Sequence, residues 1–402
     1  MESIEHLFDF GALPIETRLL LLLTKPQLSR ADRESAQALM AETVNWPAFV
    51  QLANRHGVLS MVYQALKREN LKGLPATVTQ ELHAAVYQHR LRSLVLSGEL
   101  ARLAYAFSTR GIQMVSFKGP SLSEYIFADL TLRFSVDLDL MVSPKDLEAA
   151  TQLLQENGYV LDFPRSPLTP RQREQFERIS AHYEFFRSSN QVRVELHWKV
   201  SHNPYLFPNS SLPQVLARTQ TVQIGGAQVG LLGPEDLLIY LILHATKHKW
   251  SQLKWLCDVT HLFRRLPPEH WQLLLQRTEE WNLQRPVSQG IFLAHLLYGL
   301  DVPGEVWAFE KADRRIRGLV QVALQDLLRV DPHAARPRLQ KLHVSLYNFN
   351  LKKDWRYRWY NLLDLWQDPR DWDEVRLPDV LFPLYALLRP FLWSRRQRDR
   401  GD

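Results

Sequence analysis

The stretch Arg133-Phe134-Ser135-Val136-Asp137-Leu138-Asp139-Leu140-Met141-Val142 decides how this chain is read. At the two-residue period of a strand, Val136, Leu138 and Leu140 point to one face, and Asp137 and Asp139 to the other. Two carboxylates side by side on an otherwise apolar strand repel each other and are costly to desolvate. A divalent cation between them removes that cost. The competing reading is a strand end with two solvated aspartates, so the surrounding sequence has to choose.

The chain has 402 residues, 46% hydrophobic and 23% charged. That excludes wholesale disorder and leaves room for two or three domains. The single cysteine, Cys257, excludes an intramolecular disulfide and a thiolate metal cluster, and it fits a cytoplasmic protein. The first residues, Met1-Glu-Ser-Ile-Glu-His6, lack a basic start and the leucine run 19–23 is short, so no signal peptide is expected. No window approaches the roughly 20 apolar residues of a membrane-spanning helix. A formal charge of +6 suits polyanionic partners such as nucleotides, nucleic acid or acidic lipid.

Residues 1–110 read as helical, with a Ser29 cap opening one helix and a long amphipathic segment at 78–109 whose apolar positions include Leu82, Val86, Leu91 and Leu94. His56, His83 and His89 read as surface or packing residues. The character changes at Gly111. Residues 112–117 form a short strand, Lys118-Gly119-Pro120-Ser121 a turn into a helix, and the aspartate strand follows. Ser143-Pro144 opens a helix that stops at Asn157-Gly158. Residues 159–163 form a further strand, 164–180 a loop or short helix over the surface, and 182–187 with 191–198 a hairpin. In that hairpin Arg193, Glu195 and His197 share the face opposite Val192, Val194, Leu196 and Trp198. Residues 221–230 give one more strand with a Gly225-Gly226 turn. From Gly233 onward helices return. The expected organisation is α+β: a helical region at 1–110, a small mixed-sheet α/β core at 111–232, a helical domain at 233–330, and a Trp- and Arg-rich helical region at 331–402 with a basic tail.

Asp137 and Asp139 on one strand and Glu195 on another are candidates to converge. Three hard oxygen donors of this kind suit Mg²⁺, with substrate phosphates completing the shell. Two such ions stabilise both the attacking and the leaving oxygen of an in-line displacement at phosphorus. The Lys118-Gly119 turn opens a helix, so its backbone N–H groups and the Lys118 ammonium could hold phosphate.

The ordered series Phe117-Lys118-Gly119, Tyr125, Arg133, Asp137-Leu-Asp139-Leu-Met-Val142, Gly158-Tyr159 and Glu195-Leu-His197-Trp198 resembles the poorly characterised bacterial nucleotidyltransferases of the DNA polymerase β superfamily. His244-Ala-Thr-Lys247-His248-Lys-Trp250, Leu253-Lys254-Trp255 and Asp258 are similar to that family's helical region. The likeness covers about residues 80–270. It implies a polymerase β-like nucleotidyltransferase core that is magnesium- or manganese-dependent, with Asp137, Asp139 and Glu195 as metal ligands. Glu195 would also help to deprotonate the acceptor hydroxyl. It implies an NTP-binding, ATP-binding type of site using Lys118, Gly119, Ser121 and Arg133, with transfer of a nucleoside monophosphate and release of pyrophosphate. Lys118-Gly119 stands where better-known relatives carry Gly-Ser, so the phosphate grip differs and Ser121 is the nearest hydroxyl. The acceptor is left open among protein, peptide, tRNA and small molecule. The alternative is a catalytically inactive adaptor binding nucleic acid or a protein partner; a toxin acting on host tRNA or protein is a third.

His244 and His248 stand one turn apart beside Lys247, and Lys254 one turn before Asp258, spaced for an ion pair. These residues read as a polar seam touching nucleotide or acceptor, or as a purely structural seam. A His244–His248 metal site has no obvious third ligand. The aromatic and arginine run 353–372 reads as a helical face with snorkelling arginines, with nucleic-acid stacking as the alternative. The apolar then basic tail, 381–398, reads as a packed terminal helix or as a weak membrane or partner contact.

Overall fold

The structure, a computed structural model, describes residues 4–165, 167–208, 212–329 and 346–398. Its class is α+β. Seven strands form one mixed sheet: β1 (Met114–Ser116), β2 (Asp137–Val142), β3 (Val160–Phe163), β4 (His182–Arg187), β5 (Val192–His197), β6 (Gln220–Ile224) and β7 (Ala227–Leu231). Their spatial order is β3-β4-β5-β2-β1-β7-β6. β2 runs parallel to β5 and antiparallel to β1, and β1 runs parallel to β7.

Before the sheet come α1 (Ile15–Leu23), α2 (Arg30–Ala41), α3 (Trp46–Arg55), α4 (Leu59–Arg68) and the 34-residue α5 (Ala76–Thr109). Within it lie α6 (Gly119–Phe127), α7 (Leu147–Glu156), α8 (Pro170–Ile179) and α9 (Leu212–Ala217). After it follow α10 (Pro234–Lys247), α11 (Leu253–Arg265), α12 (Pro268–Glu280), α13 (Gln284–Tyr298), α14 (Gly304–Ala312) and α15 (Arg315–Leu327). Helical segments at Trp355–Asp364, Arg370–Glu374 and Leu384–Arg398 complete the described chain. Among the described residues, no helix is long and apolar enough to cross a membrane.

The period-two pattern of β2 and β5 splits the sheet into two faces. Leu138, Leu140 and Val142 join Val192, Val194 and Leu196 in one buried cluster, which α7 and the second half of α5 cover. A second cluster gathers Val115, Phe117 and Met141 with α10, α11 and α13. On the faces turned away from the first cluster, β2 presents Asp137 and Asp139, and β5 presents Glu195 and His197. Burying about six branched side chains on one face, each worth roughly 1.5–3 kcal/mol, fixes the register. A slip of one residue would turn every one of them out and every acid in. The polar positions are therefore held by their apolar neighbours.

Local details depart from expectation for identifiable reasons. β2 begins at Asp137, and Val136 is 54% exposed, outside the strand. Residues 221–230 are a two-strand hairpin, because Gly225 and Gly226 both take positive φ and reverse the chain. Residues 164–180 contain α8, opened by a Thr169–Gln172 capping box, and its Phe176 is fully buried. Ser143 precedes a short 3-10 turn and caps nothing with its side chain. Leu91 and Leu94 face solvent. His56 is buried and accepts the Leu253 N–H, a packing residue as expected. Asp258 pairs with Arg133, and among the described residues Lys254 makes no ion pair.

Candidate functional site

Under the polar face of the sheet lies a cavity of about 560 Å³. One wall is β2 and β5, a second is α10 with the start of α11, and a third is the segment from Asp364 to Arg370. Asp137, Asp139, Glu195, Lys118, Gly119, Arg133, His244, Lys247, His248 and Lys254 all line it. These residues are dispersed over 137 positions of sequence, and the fold brings them together.

Backbone pairing fixes the acids. Asp139 is the direct cross-strand partner of Glu195, and Asp137 of Arg193. Lys118 Nζ lies 2.7 Å from Asp139 Oδ1, with both groups nearly closed to solvent. The contact is an ion pair without a directed hydrogen bond, since buried Asp139 Oδ1 accepts none of good geometry. His197 Nε2 lies 3.1 Å from Glu195 Oε2 and 3.6 Å from Asp139 Oδ1.

The electrostatics follow from this crowding. Burial and the neighbouring Asp139 charge push the Asp137 carboxyl up to about 6, with Lys118 opposing. Burial alone would raise Asp139 as well, but Lys118 and His197 outweigh it and hold it well below the usual range. Lys118 is the counterpart: burial disfavours its charge, and Asp139 restores and raises it. Burial works against the His197 imidazolium, and the two carboxylates beside it more than compensate. Glu195 is held low by the same hydrogen bond against its own desolvation.

The turn into α6 explains how Lys118 reaches the acids. Lys118 is extended at the N-cap, and Gly119 takes φ +68°, a conformation that glycine adopts without cost. Ser121 does not reach the cavity. Its hydroxyl is buried, 2.7 Å from Ser116 Oγ, and donates to the Lys118 carbonyl. Arg133 does border the cavity, but Nε donates to both Asp258 oxygens at 3.0 and 2.9 Å, and Nη1 to Ser135.

The helical wall is cationic and aromatic. The His244 and His248 rings lie 5.0 Å apart, and Trp255 is 5.4 Å from each. Burial pushes His248 down to about 4 and His244 well below its ordinary value, so both rings are neutral near pH 7. Desolvation, with Arg133 adding to it, brings Lys254 down to about 8.

Further residues line the cavity that the sequence alone did not single out: His182, His202, Tyr240, Asp364, Asp368 and Arg370. His182 had a signal, since the hairpin register puts it directly opposite His197. Tyr240 had only its place four residues before His244, on the same helical face. Asp364 to Arg370 come from more than 160 residues beyond Glu195, inside the aromatic and arginine run 353–372, whose composition did not connect it to this cavity.

Comparison with known proteins adds a lineage to this geometry. The profile of a family described as "Uncharacterised nucleotidyltransferase" matches residues 42–299. A crystal structure of an antigenic nucleotidyltransferase-like protein from Paracoccidioides brasiliensis is similar at 19% identity, over 53% of this chain and 96% of that one, with a TM-score of 0.31. No curated protein matches the chain.

Proposed function

The chain belongs to the uncharacterised nucleotidyltransferase family, and from that premise we propose that it transfers a nucleoside monophosphate from an NTP to an acceptor hydroxyl or phosphate, releasing pyrophosphate. The observation that carries this reading is the convergence of Asp137, Asp139 and Glu195 on one cavity with Lys118 among them. Three carboxylates, one with a buried oxygen that accepts no directed hydrogen bond, fit a divalent ion with oxygen preference, Mg²⁺ or Mn²⁺. Such an ion, when bound, neutralises triphosphate charge and polarises the reacting phosphoryl group.

The residues of the chain supply binding and orientation. Lys118 and the amides at the start of α6 give the triphosphate a countercharge and donors. Lys247 and Lys254 add positive charge from the facing helices. Trp255 and His248 offer flat surfaces for a nucleobase. Arg133 acts from beneath, because its fork already holds Asp258. Glu195, hydrogen-bonded to His197, is the group to accept the proton of the acceptor hydroxyl. A volume of about 560 Å³ suits a nucleotide. The acceptor class stays open among protein, peptide, tRNA and small molecule.

One observation favours a second reading. Lys118 already neutralises Asp139, as a lysine would in a protein that kept the fold as an adaptor and lost the metal. Calorimetry with each NTP, with and without Mg²⁺, separates the two. The transferase reading expects metal-dependent binding that Asp137→Asn and Asp139→Asn each weaken at least about 100-fold, far beyond the few-fold effects of ordinary surface changes. Metal-independent binding, or none with any NTP, favours the adaptor. Labelled NTPs incubated with a cell extract then identify the acceptor by the molecule that takes up label.

A further inference from the structure

The carboxylates at this site do not stop at three. Asp139 on β2, Glu195 on β5 and Glu184 on β4 are direct cross-strand partners in series. They form a row of acids across three neighbouring strands. Like charges directly opposite one another destabilise a sheet unless cations lie among them. Lys118 serves the Asp139 end, and Arg193 lies 3.8 Å from Glu184. Beside this row runs a second one, in which His197 on β5 is the direct partner of His182 on β4.

We propose that His182, Glu195 and His197 form a binding site for a first-row transition ion of the Zn²⁺ or Co²⁺ type, sharing Glu195 with the all-carboxylate position of Asp137, Asp139 and Glu195. Glu195 Oε2 lies 3.1 Å from His197 Nε2 and 4.0 Å from His182 Nε2, and one donor atom from each of the three falls within 4.8 Å of the others. Donors around one ion at bonds of about 2.0–2.1 Å sit roughly 3.0–3.4 Å apart, so a small rotation of the half-buried His182 ring closes the set. Asp139 Oδ1, 3.6 Å from His197 Nε2 and accepting no directed hydrogen bond, is a fourth donor within reach. Backbone register fixes the arrangement: Glu195 and His197 are two residues apart on one strand face, and His182 faces His197 across the pair.

The donor chemistry sets the preference. Two imidazoles beside carboxylates are a poor match for Mg²⁺, which favours an all-oxygen shell, and a good match for Zn²⁺ or Co²⁺. The cavity then offers two unlike cation positions, and the softer one needs no nucleotide. The inference therefore goes beyond the transferase reading and can fail separately from it.

The test is a Co²⁺ titration of the nucleotide-free, full-length protein, followed by its visible d–d absorption and by calorimetry. One saturable equivalent is expected, displaced by Zn²⁺ and retained in about 100-fold excess Mg²⁺. His182→Ala should weaken it by at least about tenfold, no less than the loss of an outer-shell partner costs. If His182→Ala folds poorly, His182→Gln serves in its place. On the wild-type protein, Zn²⁺ should also shift the His182 imidazole resonances. Unchanged Co²⁺ affinity in the His182 variant, displacement by equal Mg²⁺, or unshifted His182 resonances would overturn the site. Co²⁺ bound at His182 with no NTP binding keeps the site and removes the transferase reading. Mg²⁺-dependent NTP binding with no Co²⁺ site does the reverse.

Discussion

Two buried cation–carboxylate pairs lie close together in this protein, and they are built differently. In Arg133–Asp258 the guanidinium Nε bonds both carboxylate oxygens, and Nη1 is taken up by Ser135. In Lys118–Asp139 a single 2.7 Å contact lies against a carboxylate oxygen that accepts no directed bond, and two further carboxylates crowd it. The first pair is directed, nearly sealed, and ties the approach to β2 to helix α11. The second is loosely directed, carries an excess of negative charge and borders the cavity. A satisfied pair resists exchange. The second pair is held by charge, and it leaves one carboxylate oxygen facing the polar crowd of the cavity.

The largest expected effect breaks the first pair. Asp258→Asn would leave the Arg133 guanidinium buried without its counterion and should cost about 3–5 kcal/mol in urea denaturation. Full burial raises the Asp258 carboxyl, and Arg133 pulls it back only in part, so a smaller loss would point to desolvation as the dominant force. Asp139→Asn should cost clearly less, since Asp137 and Glu195 still flank Lys118. Equal losses from the two substitutions would erase the distinction between the pairs.

The two pairs also differ in how visible they were. Asp137, Asp139 and Glu195 stood out in sequence because acids on an otherwise apolar strand are conspicuous and strand periodicity assigns them to a face, and Lys118 stood out by its place in the turn that opens a helix. The α+β class followed from this alternation at β2 and β5 together with the turn signals that bound the other strands. Arg133 looked like a phosphate contact, since an arginine near an acid strand carries no mark of its burial. Its partner lies 125 residues on, and an i, i+4 reading gave Asp258 to Lys254 instead. Ser121 shows a similar effect: a hydroxyl in a phosphate-type turn can face inward, and its contacts with Ser116 on the preceding strand and with the Lys118 carbonyl show that it does. The wall at Asp364–Arg370 was illegible because tertiary packing alone brings it there.

A second prediction sharpens the contrast through pH. Asp137 titrates at about 6 in the folded protein, against 3.8 as the reference for an unfolded chain. The folded state thus holds this proton more tightly. The stability that protonation gives is complete below pH 3.8 and is lost as pH rises through about 6. In metal-free protein, Asp137→Asn should therefore stabilise by up to about 2–3 kcal/mol at pH 7, with little effect below about pH 4. Thermal melts in chelator at both pH values measure it. A destabilised Asp137→Asn at pH 7 would mean that Lys118 and Lys254 already balance the acids.

The smallest effect concerns the turn that delivers Lys118. Gly119 sits at φ +68°, and a Cβ there would lie 3.5 Å from the Asp137 carbonyl oxygen, an ordinary contact. Gly119→Ala should therefore cost only the left-handed backbone penalty, about 1–2 kcal/mol. Gly158, which ends α7 at φ +80° with its nearest neighbour Arg187 at 3.6 Å, faces the same penalty away from the cavity. The two alanine variants should lose similar stability, yet only Gly119→Ala should weaken Mg²⁺-dependent NTP binding, because relief of its strain moves Lys118 relative to Asp139. If NTP affinity is unchanged in both, Lys118 belongs with Arg133 as a structural cation, and the phosphate grip must come from Lys247 and Lys254 on the facing helices.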